Sequence, residues 1–296
     1  MRAALSFHQL AALAPLLGVF DLSCPLCSAV HNPRRRVLRI WREQEHFIGF
    51  ACARCGKKGW ARSGDKGTHL SPERRAKIRR DVDERQAAEQ ARSRGKALWL
   101  WTISLPITSK TPALVYLREV RQYHGPLPAT LRYLPPRTPE HHHAMIAAFG
   151  MPDEPEPGVY AIANHRVGAV HLTFLRPDGS GKADVDSPKI IVGQGAVGLP
   201  ICLFPPNDLL GLAITEGIED ALSIGEATGL GAWAAGCASR LPAMAEHVPP
   251  WIDCVTVIPD QDPAGENNAH LLHRALLDRG IHAELVPVAA RSRAAA

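Results

Sequence analysis

The last third of the chain alternates strand-length apolar runs with helical patterns, and few folds accept that order. Apolar runs at 212–216, 231–235, 254–259 and 282–288 are separated by helical patterns at 218–228, 239–247 and 264–279, with Gly229 and Gly280 as stops. Such alternation predicts a parallel sheet covered on both faces, because each crossover helix must pass over one face. The first run ends on Glu216, followed by Gly217-Ile218-Glu219-Asp220. The third leads into Asp260-Gln261-Asp262-Pro263-Ala264-Gly265. Carboxylates are therefore delivered just past two C-terminal strand ends, the edge where open α/β sheets bind ligands. A Glu on one end and an Asp-x-Asp on another can share magnesium, a hard cation held by few carboxylates and by phosphate oxygens. Each acid also has an ordinary reading: Glu216 as a helix-start acid favoured by the dipole, Asp260 and Asp262 as turn and capping residues.

With 296 residues there is room for two or three domains, and 46% hydrophobic with 21% charged residues is a soluble, globular balance. No apolar run approaches the roughly 18 residues that cross a bilayer, so no membrane span and a cytoplasmic location are expected. The short apolar stretch from Ala11 is broken by Pro15 and follows one early basic residue, Arg2, which reads as an amphipathic helix rather than a signal peptide. Charge is unevenly placed. Residues 1–96 carry 20 Lys and Arg against 9 Asp and Glu, and residues 97–296 carry 14 against 20. A basic third joined to an acidic remainder suggests a nucleic-acid-facing part attached to a metal-binding part, with a solvated charged helix as the plainer alternative.

Four of the seven cysteines form two Cys-x-x-Cys pairs, Cys24/Cys27 and Cys52/Cys55, on either side of the strand-like runs Val37–Trp41 and Phe47–Phe50. Two knuckles on a β-hairpin place four thiolates at the corners of a tetrahedron, which suits a structural zinc with no open coordination position. Cys202, Cys237 and Cys254 stand singly in apolar surroundings, as in a reducing compartment. The hairpin region carries Arg34, Arg35, Arg36, Arg39 and Arg42 with Trp41, Phe47 and Trp60 interleaved. Basic groups for phosphates and aromatic faces for bases are what a single-strand surface needs, although some of these rings must also build the small core.

Ser71-Pro72-Glu73 opens a long polar helix to about Trp101, read as a connector. Residues 97–208 then read as an α+β domain, with a short helix at Ala113–Arg118 and strands at Met145–Phe149, Val159–Ala163, Gly168–Arg176 and Ile190–Val192. Three patterns there mislead. Gly193-Gln-Gly195-Ala-Val-Gly198 matches a dinucleotide fingerprint but runs into Leu199-Pro200, so no helix would meet a pyrophosphate. Gly179-Ser-Gly181-Lys182-Ala183 ends like a phosphate-binding loop, yet lacks the earlier glycine and has Ala183 where the magnesium-binding hydroxyl belongs. His141, His142 and His143 are consecutive and cannot all point one way, so they read as a solvated turn.

Glu216-Gly-x-x-Asp220 followed by Asp260-x-Asp262-x-x-Gly265 resembles the Toprim domain of bacterial primases, topoisomerases and certain nucleases. The cysteine-rich start is similar to a primase zinc-binding domain. Gly168–Val192, with Pro177-Asp-Gly179 and Ser187-Pro-Lys189, is similar to the segment preceding the Toprim motif in DnaG-type primases. The resemblance spans roughly residues 22–288 and is strongest to phage- and plasmid-type primases. It implies a multidomain α/β chain: an extension (1–20), a zinc ribbon (21–62), a charged helical linker (63–96), a basic α+β half (97–208), a Toprim half with a Rossmann-like parallel sheet (209–288) and a disordered tail (289–296). By the same resemblance, Glu216 is the catalytic acid or base, Asp260 and Asp262 are magnesium ligands with Glu216 (manganese an alternative), and Asp220 is a supporting acid. Lys189 belongs to the face that binds template and nucleotide. The hairpin's own basic and aromatic residues, Arg34, Arg35, Arg36 and Trp60, are expected as further nucleic-acid contacts. The implied activity is primer synthesis on single-stranded DNA from nucleoside triphosphates for DNA replication, with a separate helicase as partner. Primases of this kind carry a third acidic cluster after the strand that follows Asp-x-Asp. Here Val286-Pro-Val288 leads into Ala-Ala-Arg-Ser-Arg, which keeps open a single-strand binding module without turnover. A Toprim nuclease or topoisomerase is the other alternative, but no tyrosine stands in a nucleophile's sequence context.

Overall fold

The computed structural model describes residues 5–27, 36–63, 72–194 and 197–286. Arg34, Arg35 and the tail 289–296 lie outside them. Two compact units divide the chain, Met1–Glu89 and Gln90–Ala296.

The first unit begins with α1 (Phe7–Leu13), started by a capping box in which Ser6 and Gln9 each bond the other's backbone N–H. Four strands follow as an antiparallel meander: β1 (Gly18–Leu22), β2 (Leu38–Gln44), β3 (Phe47–Cys52) and β4 (Lys58–Arg62). Alternation decides their faces. Leu38, Ile40, Ile48 and Phe50 point inward, while Arg39 and Trp41 point out. Leu5, Leu10 and Ala14 close the same core, so α1 and β1 are parts of the ribbon rather than a separate extension. A sheet this small cannot bury its apolar face without that cover. Helix α2 (Pro72–Thr102) then carries the chain into the second unit. Its early turns are largely exposed, and Ala97, Leu100 and Trp101 near its end are buried.

The second unit opens with α3 (Pro112–Val115), continued by a π-helical turn at Tyr116–Val120. Next come β5 (Leu131–Leu134), β6 (His143–Phe149), β7 (Asp153–Glu156), β8 (Val159–Ala161), β9 (Ala169–Leu175) and β10 (Lys189–Gly193). β7 and β8 form a small ribbon, and the others an antiparallel sheet in the order β10-β9-β6-β5. The alternating segment supplies β11 (Ile201–Phe204), β12 (Gly211–Thr215), α4 (Ile218–Thr228), β13 (Gly231–Ala234), α5 (Leu241–Met244), β14 (Cys254–Ile258), α6 (Pro263–Asp278) and β15 (Ala283–Leu285). Its sheet runs β11-β13-β12-β14-β15, parallel except for β11, which pairs antiparallel with β13. The helix expected at 239–247 is broken into α5 and flanking 3₁₀ turns at Ala238–Arg240 and Ala245–His247.

Both faces of that sheet are covered. Ile218, Ala221 and Leu222 of α4 lie on one side, and Ala269, Leu272 and Leu276 of α6 on the other. The α4 side shares one core with Met145, Phe149, Ala169 and Leu175 of the antiparallel sheet, so the two sheets meet across α4. Gly193 explains the false fingerprint. Its φ is +110°, and a Cβ there would lie 2.3 Å from the Gly168 carbonyl oxygen, so the glycine permits strand pairing.

Candidate functional site

The strand order decides where the acids converge. From β12 the chain crosses to β13 on one side and then to β14 on the other, so the sheet edge past β12 and β14 is a topological switch point. Thr215 and Ile258 pair in register, and Glu216 and Asp260 follow them.

Glu216 is partly buried, with its backbone carbonyl accepting from Gly236 N–H at 2.9 Å. Its Oε2 is buried without a hydrogen-bond partner. Burial, then the charges of Asp260 and Asp262, push its carboxyl above the ordinary range. Asp260 is raised too, by burial first and then by Asp220 and Asp262, with Lys189 opposing. Asp262 does the helix work its plainer reading anticipates: it caps α6, accepting from Gly265 N–H at 2.7 Å. Asp220 sits in the first turn of α4, 3.9 Å from Arg121.

Lys189, at the start of β10, stands opposite Thr173 and reaches Glu219 at 3.0 Å. Glu219 was not among the expected functional residues, and neither was its second partner, Lys182, 3.4 Å away. The Tyr116 hydroxyl donates to Glu219 at 2.9 Å. Burial opposes ionisation of Glu219, but Lys189 and Lys182 outweigh it and hold the carboxyl well below the usual range. Thr173 and His171 lie on the same face of β9, and Thr173 Oγ1 and His171 Nδ1 are buried without partners. Two polar residues spaced by two in an otherwise apolar strand were the available signal for this face. Burial and then the nearby Lys189 push His171 down to about 4.

In the first unit, Cys24 and Cys55 Sγ lie 4.0 Å apart, and Cys27 and Cys52 Sγ 3.9 Å. All four sulfurs are within 4.8 Å of one another. Bonds of about 2.3 Å in a tetrahedron put sulfurs about 3.8 Å apart, so the set fits zinc, and it is far too open for disulfides. Among the described residues it is the one group of three or more Cys, His, Asp or Glu so gathered. The acid trio is not. Its fit to magnesium rests instead on an all-oxygen donor set and on the orphaned Glu216 oxygen, since magnesium takes one or two carboxylates and keeps water on its other positions.

The basic hairpin divides in two. Arg39 forms a two-pronged pair with Asp21, and Arg42 donates to the Ala14 and Pro15 carbonyls, so both hold the ribbon together. Arg36 is exposed. Trp60 is 58% exposed and stacks on Phe47 at 5.8 Å, with the Arg62 guanidinium 5.6 Å above the Trp60 ring centre. Trp41 and Trp60 both pair with Gly49, and the Trp41 ring lies 3.8 Å from where a Cβ on that glycine would stand, so two exposed indoles share one face. The three histidines do not form one solvated turn: His143 opens β6 and shares a hydrogen bond with Tyr133, His142 packs on Phe174, and His141 is exposed.

Residues 211–293 match the family model of the Toprim domain, and residues 91–199 match one described as a domain of unknown function, DUF7146. The C-terminal part of the chain is a Toprim domain, joined to a mixed α/β body and a zinc-ribbon-like four-cysteine cluster. Among solved structures, the chain is similar to the primase fragment of the bacteriophage T7 primase-helicase protein, at 10% identity over 90% of this chain and 89% of that one, with a TM-score of 0.36. It is also similar to the zinc-binding and RNA polymerase domains of the Aquifex aeolicus primase, at 13% identity over 94% and 76%, with a TM-score of 0.39. No curated protein matches the chain. Among the described residues no helix is long and apolar enough to cross a membrane.

Proposed function

We propose that the chain is a primase-type nucleotidyltransferase that makes primers on single-stranded DNA from nucleoside triphosphates. The observation that carries this reading is the meeting of Glu216 and Asp260, on neighbouring strand ends of a Toprim domain, with the cation of Lys189. The reaction joins a 3′-hydroxyl oxygen to the α-phosphorus of a nucleotide, breaks the bond to the pyrophosphate oxygen and releases one proton. Glu216 takes that proton, a role a carboxylate at the strand end can fill. Asp260 and Asp262 would hold magnesium together with Glu216, with Asp220, 3.9 Å from Arg121, as a supporting acid. Magnesium, when bound, neutralises charge on the phosphates and the leaving pyrophosphate. Lys189 faces the nucleotide phosphates. Cys24, Cys27, Cys52 and Cys55 would hold zinc and with it the ribbon, whose exposed Trp41 and Trp60 stack template bases.

The tyrosines favour transfer over strand cleavage. Tyr116, Tyr123, Tyr133 and Tyr160 are all at most 9% exposed, and burial raises each hydroxyl's pKa, which makes a poor nucleophile. The test uses single-stranded template, magnesium and nucleotides labelled on the γ-phosphate. Products made from the first nucleotide onward keep the label at their 5′ ends. Nicked plasmid with no labelled oligonucleotide would instead make the protein a nuclease.

A further inference from the structure

The acid whose placement is hardest to account for is Glu219. It lies beside the catalytic acids in sequence, yet its side chain is 2% exposed and it takes no position at the strand ends. A buried carboxylate is costly unless it is paired and hydrogen-bonded, and an apolar side chain would serve the α4 core better. Here the pairing is unusually complete. One oxygen accepts from Tyr116 at 2.9 Å and faces Lys182 at 3.4 Å; the other accepts from Lys189 at 3.0 Å. The first turn of α4 adds the favourable end of its dipole.

The burial is one-sided. The Lys182 and Lys189 side chains are 33% and 36% exposed, so both lysines are partly open to solvent while the carboxylate they share is sealed. They come from different segments, Lys182 from the loop after β9 and Lys189 from β10. Without a shared counter-ion, two like charges so placed would repel and swing apart. The charge of Lys189 acts on both Glu216 and Asp260, so that ammonium lies near the candidate metal site. With both lysines protonated the trio carries a formal charge of +1.

We propose that Glu219 is a positioning residue that holds Lys182 and Lys189 as a preformed clamp for the phosphates of a nucleoside triphosphate. The proposal rests on the nucleotide-using reading above and deepens it. Glu219 does not touch substrate. It spares the incoming polyphosphate the ordering of two long side chains, which is a large part of what such contacts cost.

The test is a titration of the full chain with ATP carrying a fluorophore on its ribose, without divalent metal, so that the clamp is read apart from the acids. Glu219→Gln keeps shape and removes the charge. It is expected to weaken binding at least about tenfold, in the range that follows loss of one partner of a buried charge pair. Lys182→Gln, at a part-exposed position that tolerates change, is expected to weaken binding similarly, and the double variant to be no weaker than Glu219→Gln alone, because coupled residues are not additive. In primer synthesis, Glu219→Gln should raise KM for nucleotide with kcat within about threefold, the mark of lost binding common to ground and transition states. Binding by folded Glu219→Gln within twofold of wild type overturns the clamp. So do additive effects of the two substitutions, or no metal-free binding by wild type. If Glu219→Gln does not fold, Lys182→Gln decides: unchanged binding overturns the proposal. Wild type that binds nucleotide through these residues but makes no primer leaves the clamp standing and removes the primase reading. Primer synthesis with unaltered binding in the variants does the reverse.

Discussion

Glu216 and Asp260 follow residues paired in register on neighbouring parallel strands, and the Asp260 charge is the largest influence after burial that holds the Glu216 carboxyl up. Two acids brought together this way work against the fold unless a cation joins them.

That tension gives the first prediction. In metal-free protein near neutral pH, Glu216→Gln or Asp260→Asn should raise the melting temperature by about 2–4 °C, the shift that roughly 1 kcal/mol makes in a unit of this size. Magnesium should raise the melting temperature of wild type and leave the variants nearly unmoved. Thermal melts with and without magnesium check both.

His171 predicts an acid limit. Its folded pKa of about 4 lies below the ordinary value of 6.5, with burial as the chief cause and Lys189, Lys182 and Arg240 adding to it against Glu219. A base with a depressed folded pKa contributes stability that is full above 6.5 and lost as pH falls from there toward 4. Wild type should therefore lose stability more steeply than His171→Gln over that window. Equal slopes would mean that the folded pKa of His171 is not depressed.

The cysteine cluster predicts a metal-dependent ribbon. Cys27→Ser or Cys52→Ser should lower zinc content from one equivalent toward none and leave Met1–Glu89 open to protease. Structural zinc supplies about 10–16 kcal/mol in small zinc folds, more than this core can replace. Metal analysis and limited proteolysis report the two effects separately.

Trp60 predicts a template contact. Trp60→Ala should weaken binding of a labelled single-stranded oligonucleotide roughly tenfold, as loss of one stacked base costs about 1–3 kcal/mol. The salt dependence of binding should stay the same, because no phosphate contact is removed. Fluorescence anisotropy at several salt concentrations measures both.

The parallel sheet was legible because β12, α4, β13, β14 and α6 each carry a periodic pattern and a stop such as Gly229. The cysteine cluster was legible because the spacing of the knuckles is itself the chemistry. β11 was not read as a strand, since Ile201–Phe204 is a four-residue run between prolines and only pairing with β13 makes it one. Nor was the role of α1 and β1, because sequence does not say which apolar stretch covers a small core. Arg39 and Arg42 looked free for phosphate, yet Asp21 and the Ala14 carbonyl are brought to them only by folding. Glu219 escaped for the same reason: Lys182 and Tyr116 are distant in sequence and meet it through the packing of α4 against the second sheet.

The most direct test of the central claim is incorporation of labelled nucleotide into new oligonucleotides on single-stranded DNA with magnesium, comparing wild type with Glu216→Gln and Asp260→Asn. Template-dependent products from wild type, reduced at least about 100-fold in both variants as expected for loss of a proton acceptor or metal ligand, are the predicted result. Equal product from all three, or none from wild type on any template, would contradict it.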